Sequence, residues 1–175
     1  MKRICGWLLV AMLLGLGRAK ADGIKVAGDI LQYALPAATA AITMGSGDWD
    51  GTLQFAEAFA VQGLTVITLK NTIYETRPNG DGHQSFPSGH ASVTFCSAEF
   101  LRERYGWTLG APAYALAAFT GYSRVECDAH YWHDVAAGAL IGIGSSWLFT
   151  SPGQKWNFSP STDGKNWTLK FQRFW

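Results

Sequence analysis

The sequence predicts an all-α protein: a compact helical bundle of about five to six helices, followed by a short β-like C-terminal tail. Apolar residues make up 48% of the 175 residues and charged residues only 15%, below the roughly 25% typical of soluble domains. Ala- and Leu-rich stretches of helical length are separated by glycine, proline and polar turn residues. A chain of this length is enough for one hydrophobic core, so a single domain is expected.

The N-terminus has the three parts of a secretory signal peptide. Lys2 and Arg3 form a basic start, Cys5–Gly17 is apolar, and Ala19-Lys20-Ala21 is a small-x-small cleavage site. An uncleaved anchor helix is the alternative, but the apolar run is shorter than the ~20 residues that a membrane span needs. A cleaved signal peptide is therefore the favoured interpretation.

The expected organisation is a signal peptide over residues 1–21, a helical domain over 22–154 and an aromatic tail over 155–175. Four of the 14 basic residues lie in the signal peptide, so the mature chain would be slightly acidic. No basic patch remains that would indicate nucleic-acid binding. The sequence thus predicts an exported protein of the periplasm or cell envelope, with no nucleic-acid partner.

Five helices are expected in the helical domain, each bounded by residues typical of turns or caps. The predicted ranges are Val26–Met44, Gly51–Thr76, Ser88–Arg104, Pro112–Tyr122, and a fifth from the region of His130 to Phe149. Asp50 and Ser88 are the expected N-caps of the second and third helices. Pro36 marks a potential kink in the first helix, and Pro112 suits the first turn of the fourth.

Polar or charged residues interrupt the apolar stretches early, and the cleanest run, Val135–Phe149, has 15 residues. That length suits a buried core helix better than a membrane span, so a compact bundle is favoured over an integral membrane fold. In the tail, Trp167–Phe171 alternates apolar and polar residues, which predicts a short strand. Whether this strand packs on the bundle or touches a membrane interface stays open, as does a disulfide between Cys96 and Cys127.

The chemistry-bearing residues fall into three clusters. These are Lys70 with Arg77-Pro78, then Pro87-Ser88-Gly89-His90, then Ser123-Arg124 with His130 and Asp134. Lys70 and Arg77 are seven residues apart, so on a helix they would share one face. Arginine forks match phosphate oxygens, and a helix that begins at Ser88 presents unpaired backbone N–H groups to an anion. Together the clusters predict an anion site, although each cation taken alone is more simply a solvated surface residue and Ser88 a simple cap.

His130 and Asp134 are spaced i, i+4, which would place them on one helical face. A carboxylate there can hold one imidazole nitrogen as N–H and leave the other free to attack, as in catalytic triads. A helix-stabilising His–Asp pair is the alternative for this spacing taken alone.

A metal site is not expected, although all four histidines lie between positions 83 and 133. His130, His133 and Asp134 offer ligand atoms, with His83 or His90 from the preceding loop. They lack the HExxH pattern of helical zinc sites, and the nearby lysine and arginines would repel a cation. His83 and His133 are interpreted as loop and helix-surface residues, with His133 at the mouth of a pocket.

Taken together, the three clusters resemble the type 2 phosphatidic acid phosphatase superfamily, which includes bacterial nonspecific acid phosphatases and vanadium haloperoxidases. The family pattern is K-x6-R-P, then P-S-G-H, then S-R-x5-H-x3-D. Every position of it is filled, in order, across 65 residues. The chain from about Gly28 to Thr150 resembles the small single-domain bacterial members.

The resemblance implies a role for each pattern residue. His130 would attack phosphorus, Asp134 would fix its tautomer, and His90 would protonate the leaving oxygen. The phosphoryl oxygens would be bound by Lys70, Arg77, Ser88, Gly89 and Arg124. Family members work without a metal, so no cofactor is expected. Ser123 is given a supporting role.

The resemblance also defines the expected substrate and two alternatives. The substrate would be a phosphorylated lipid or a small phosphomonoester, with a weak preference for a membrane lipid because the helices are apolar. A vanadate-dependent haloperoxidase uses the same pocket, but such enzymes are much larger. A non-catalytic envelope protein that binds anionic lipid would keep the cations yet has no need of His90, His130 and Asp134 together.

Overall fold

The computed structural model describes residues 21–153, 155–162 and 167–174. The predicted signal peptide, apart from its last residue, lies outside the described residues. Five helices account for most of the described chain: α1 (Ala21–Gly45), α2 (Trp49–Thr72), α3 (Gly89–Tyr105), α4 (Trp107–Glu126) and α5 (Trp132–Phe149). The predicted helical bundle is confirmed.

The C-terminal segment is an antiparallel pair, β1 (Lys155–Thr162) and β2 (Trp167–Phe174). The strand predicted from the alternation at Trp167–Phe171 is therefore present. Strand β1 contains Pro160, although Trp156 and Phe158 alternate with polar residues in its first half. It was not predicted as the partner of β2.

Helix α3 is the centre of the bundle and packs against each of the other four helices, most extensively against α5 and α4. The core residues on these helices are mostly small: Leu35, Ala98, Leu101, Ala113 and Ala117 form one buried cluster. Small side chains allow helix backbones to approach closely. The starts of α3 and α5 meet in this packing, where the Ser88 N–H donates to the Asp134 carbonyl at 3.0 Å.

The second and fourth helices begin earlier than predicted. Asp48, not Asp50, caps α2, and its Oδ1 accepts a hydrogen bond from the Gly51 backbone N–H at 3.0 Å. Asp48 also accepts from Arg104 Nε at 2.8 Å and from the Tyr105 hydroxyl at 2.7 Å. The cap thus ties α2 to the end of α3. Helix α4 begins at Trp107, which places Pro112 inside the helix instead of in its first turn.

Two glycines of α5 allow that helix to lie directly on the backbone of α3. A Cβ at Gly138 would stand 2.3 Å from the Ser88 carbonyl oxygen, and one at Gly142 would stand 2.2 Å from the Ser92 carbonyl oxygen. Both distances are far below van der Waals contact, and the atoms met are backbone. Only glycine fits at these two positions without a shift of one helix against the other.

Gly142→Ala is therefore expected to lower the thermal unfolding temperature, with a loss of roughly 1–3 kcal/mol from overpacking. Gly144 is the matched control, since a Cβ there meets nothing within 4 Å. Gly144→Ala should be neutral or stabilising by up to about 1 kcal/mol, because alanine has the higher helix propensity. Equal unfolding temperatures for the two variants would contradict the packing interpretation.

The outer faces of the described helices carry many large apolar side chains. Leu53, Leu64 and Ile67 on α2 are 58–65% exposed, and Leu140 and Leu148 on α5 are 69–71% exposed. Helix α2 has the length and apolar composition that a membrane crossing requires, a property that core helices of soluble proteins share. The bundle thus has an apolar exterior as well as an apolar core.

The two cysteines of the described chain, Cys96 and Cys127, are both free. Cys96 is buried, and burial raises the pKa of its thiol to about 12. The disulfide left open by the sequence is therefore not formed.

Candidate active site

A cavity of about 510 Å³ opens where the start of α3, the end of α4 and the approach to α5 meet α1 and the loop after α2. Most of the pattern residues line it. Its wall includes Lys70, Arg77, Gly89, His90, Arg124 and His130. Three separate stretches of the chain thus contribute cations and imidazoles to one space.

The i, i+4 spacing predicted that His130 and Asp134 share a helical face, but His130 does not lie on α5. The helix begins at Trp132 with Tyr131 as its N-cap, so His130 belongs to the segment before it. The His130 and Asp134 side chains still meet, with His130 Nδ1 3.5 Å from Asp134 Oδ2. The carboxylate points back past the helix start, where it accepts a hydrogen bond from the Tyr131 N–H at 2.9 Å.

Asp134 is fully buried behind His130 and is fixed by more than the imidazole. Ser85 donates its hydroxyl proton to Asp134 Oδ2 at 2.5 Å. Two donors, the Ser85 hydroxyl and the Tyr131 amide, therefore set the direction of this oxygen. The sequence did not identify Ser85, whose only signal is a polar residue in the loop before Phe86-Pro87.

Lys70 and Arg77 both line the cavity, but they do not share one helical face as predicted. Helix α2 ends at Thr72, so Lys70 is in its last turn and Arg77 is in the loop beyond. The Lys70 ammonium donates to the Gln84 carbonyl at 2.7 Å. Arg77 Nε is buried and has no hydrogen-bond partner among the described residues. An unpaired guanidinium N–H at the cavity wall is suited to an anion.

Ser88 and Gly89 occupy different places at the start of α3. Gly89 lines the cavity with the helix N-terminus behind it. Ser88 is fully buried, and its hydroxyl accepts a long hydrogen bond of 3.5 Å from the Ala91 N–H, as an N-cap does. Ser88 does not line the cavity. The predicted cap is confirmed, and the hydroxyl serves this cap in the structure.

Asp29 of α1 is a site residue that the sequence reasoning missed. Its Oδ1 accepts a hydrogen bond from Arg124 at 2.6 Å and lies 3.0 Å from His90 Nε2. Arg124 also donates to the Lys25 carbonyl at 2.8 Å, so α1 closes one side of the cavity. The only signal was a carboxylate within an otherwise apolar helix. Its partners stand 61 and 95 residues further along the chain.

Both imidazoles are neutral at neutral pH. Burial, then the Arg124 guanidinium, lowers the pKa of His90 to about 4, although Asp29 acts in the opposite direction. Burial, then the Lys70 ammonium, lowers the pKa of His130 to about 4 against the opposing effect of Asp134. Burial and the Arg77 charge also lower the pKa of Lys70. An incoming anion would relieve this accumulation of positive charge.

Known proteins with similar sequences identify the family of this chain. The model of the PAP2 superfamily matches residues 51–158, and the chain belongs to this superfamily. The lipid A 4'-phosphatase of Helicobacter pylori is 30% identical over 169 residues, which cover 86% of this chain and 84% of that protein. The lipid A 1-phosphatase of Porphyromonas gingivalis is 35% identical over 92 residues, covering 50% of this chain and 20% of that protein.

A solved structure shares the fold. The crystal structure of Aquifex aeolicus LpxE superposes with a TM-score of 0.66 at 22% identity, covering 81% of this chain and 92% of that one. The arrangement of helices around the cavity is thus that of a solved member of the same fold.

Proposed function

We propose that the protein is an exported, membrane-associated phosphatase that removes a phosphate from a membrane lipid through a phosphohistidine on His130. One observation carries the proposal: two imidazoles and four cationic residues line a single cavity, and a buried carboxylate is directed at one of the imidazoles. The membership of the superfamily and the phosphatase names of the relatives support the same activity. The apolar outer faces of α2 and α5 support contact with lipid.

The first step is an in-line displacement at phosphorus. His130 Nε2 uses its lone pair to form a P–N bond while the P–O bond to the lipid breaks. Asp134 accepts the Nδ1–H hydrogen bond and stabilises the imidazolium that forms. His90 gives its proton to the departing oxygen. Lys70, Arg77, Arg124 and the amides at the start of α3 bind the phosphoryl oxygens and stabilise their transition-state charge.

The second step restores the enzyme. His90, now neutral, accepts a proton from water as the water oxygen attacks phosphorus, the P–N bond breaks and inorganic phosphate leaves. The low pKa of His130 leaves its lone pair free before the first step. Because a phosphate dianion is bound beside His90, it should raise the pKa of that imidazole and so supply the protonated acid.

Asp29 is proposed as a positioning residue for His90 and Arg124. Its carboxylate raises the pKa of His90. In the absence of substrate it also pairs with the Arg124 guanidinium, which would otherwise bind phosphate. Asp29→Asn should therefore lower the pKa of His90 and shift the alkaline limb of the kcat profile to lower pH. At pH 7, kcat should fall about tenfold for each unit of that shift, while KM should fall or stay unchanged.

The measurement is a set of pH profiles of kcat and kcat/KM. Asp81→Asn is the matched control, because Asp81 also lines the cavity but forms its contacts with Asn79. A purely structural role for Asp29 would lower kcat at every pH without moving the limb. That result would contradict the positioning role.

The substrate is proposed to be a phosphorylated saccharolipid of the lipid A class, from the names of the relatives. The mature protein should release phosphate from lipid A carrying a 1- or a 4'-phosphate faster than from phosphatidic acid, phosphatidylglycerol phosphate, polyprenyl pyrophosphate or a soluble phosphomonoester. Equal rates on all substrates would contradict a saccharolipid preference. No release from any of them by folded protein would favour the non-catalytic lipid-binding alternative.

The same assay addresses the metal and the haloperoxidase alternative. A chelator should leave the rate of phosphate release unchanged, since the cations of the cavity take the place of a metal. Vanadate should inhibit by occupying the phosphate site. Halide oxidation by the vanadate-loaded protein would overturn the phosphatase assignment.

A further inference from the structure

A second group of polar side chains includes Asp134 and lies outside the lining of the phosphate cavity. Glu75 is in the loop after α2, and His133 is in the first turn of α5. Glu75 Oε1 lies 2.7 Å from His133 Nε2, and this nitrogen lies 3.2 Å from Asp134 Oδ1. The three candidate ligand atoms are all within 4.8 Å of one another. No step of the proposed mechanism uses Glu75, His133 or the Oδ1 atom of Asp134.

Asp134 Oδ1 is an unsatisfied buried atom. Asp134 is fully buried, and while its Oδ2 accepts from Ser85 and Tyr131, Oδ1 has no hydrogen-bond partner among the described residues. An unpaired carboxylate oxygen in the interior is costly and indicates a missing partner. His133 Nε2 lies 3.2 Å from this oxygen and can carry one proton at most, for which Glu75 Oε1 at 2.7 Å is the closer acceptor.

The geometry of the three atoms suits a metal ion better than a shared proton. One proton on His133 Nε2 cannot serve two carboxylate oxygens, whereas a divalent cation accepts lone pairs from all three atoms. Ligands at ~2.0–2.1 Å around a tetrahedral zinc ion stand about 3.3 Å apart. The observed separations of 2.7 and 3.2 Å need only small adjustments to reach this value.

The surroundings hold the imidazole in place and leave an entrance. The His133 ring stacks on Tyr131 with ring centroids 5.3 Å apart and nearly parallel planes. The Phe86 ring centroid lies 6.3 Å from that of His133, with the planes inclined by 28°. Its side chain is 58% exposed and that of Glu75 is 29% exposed, so an ion can reach the group from solvent. Lys70 and Arg77 line the phosphate cavity, whereas Glu75, His133 and Asp134 do not.

We propose that Glu75, His133 and Asp134 form a binding site for a divalent transition cation such as Zn²⁺, and that its occupation inhibits the phosphatase. One imidazole with two carboxylates favours Zn²⁺ over Mg²⁺ or Ca²⁺, which prefer oxygen ligands alone. A cation on Oδ1 draws the charge of Asp134 away from His130. The imidazolium formed during phosphoryl transfer then loses part of its stabilisation, and turnover falls. The inhibitory role rests on the proposed function, whereas the binding site does not.

The site is tested first by binding in the absence of substrate. Chelator-treated full-length protein is titrated with Zn²⁺ in a calorimeter, and saturable binding of one ion per chain is expected. Glu75→Gln and His133→Ala should each weaken the affinity by about 10–100-fold or more, since even second-shell changes have effects of this size. The matched controls are Glu57→Gln and His83→Ala, which remove an exposed carboxylate and an exposed imidazole outside the group and should leave the affinity unchanged.

Inhibition is then measured on the same proteins. The Zn²⁺ concentration that halves phosphate release should rise at least tenfold in Glu75→Gln and His133→Ala and stay constant in the two controls. Absence of saturable binding, or equal binding in all variants, would overturn the site. Binding at the site without inhibition would overturn the regulatory role. A protein that binds Zn²⁺ but hydrolyses no phosphate would instead count against the proposed function alone.

Discussion

Replacement of His130 by alanine is expected to lower kcat by about 10⁴-fold or more, the range found when a nucleophile of a catalytic triad is removed. No other imidazole in the described chain lies beside Asp134 and also lines the phosphate cavity. His90 lines the same cavity but pairs with Asp29, not with a buried carboxylate. The phosphoryl group therefore has no second acceptor in the variant.

Two measurements make this prediction decisive. Labelled phosphate should be trapped on the wild-type protein in an acid-labile, alkali-stable form, and this signal should vanish in His130→Ala. His83→Ala is the control, because His83 is exposed and binds Thr76 outside the cavity. Near-normal turnover by a folded His130→Ala protein would contradict the phosphohistidine mechanism.

Asp134→Asn is expected to lower kcat by about 10²–10⁴-fold with a smaller effect on KM, as the corresponding change does in serine proteases. The Ser85 hydroxyl and the Tyr131 amide both donate to Oδ2, so the asparagine oxygen is fixed there. A neutral asparagine then cannot stabilise the imidazolium that forms on phosphoryl transfer. If the amide group instead turned towards His130, it would donate to Nδ1 and force the proton onto Nε2, which blocks the attacking nitrogen.

Asp128→Asn serves as the control for this substitution. Asp128 is exposed and has a φ of 52°, a conformation that asparagine tolerates. Steady-state kinetics should give unchanged kcat for Asp128→Asn and a selective loss of kcat for Asp134→Asn. A loss confined to KM in Asp134→Asn would assign the carboxylate to substrate binding instead of to His130.

Much of the fold was predictable because helix boundaries in this chain are marked locally. Ser88 caps α3 through its own hydroxyl, as its position before Gly89-His90 indicated. The start of α2 was less well placed, because Asp48 and Asp50 are both good caps. Which of them caps depends on Arg104 and Tyr105, more than 50 residues away. Local patterns therefore located the helices but not every cap.

The site was predictable as a set of residues but not as an arrangement. The pattern named six residues that line the cavity, yet the helical-face argument for His130 and Asp134 was wrong, because His130 lies before the helix. Asp29 and Ser85 were missed, since their partners lie 45 to 95 residues away and no local spacing signals them. The unpaired oxygen of Asp134 is likewise visible only when Glu75 and His133 are placed in space.

The close backbone contact between α3 and α5 has a consequence for how such an enzyme can diversify. Gly138 and Gly142 join α3, which carries His90, closely to α5, which carries Asp134. The Ser88 N–H bond to the Asp134 carbonyl at 3.0 Å links the two helices further. Helix α1 contributes Lys25, Asp29 and Gln32 to the rim of the cavity through side chains and a carbonyl alone. Selectivity can thus be redesigned at α1 positions other than Asp29, such as Gln32, because α3 and α5 are braced against each other without α1.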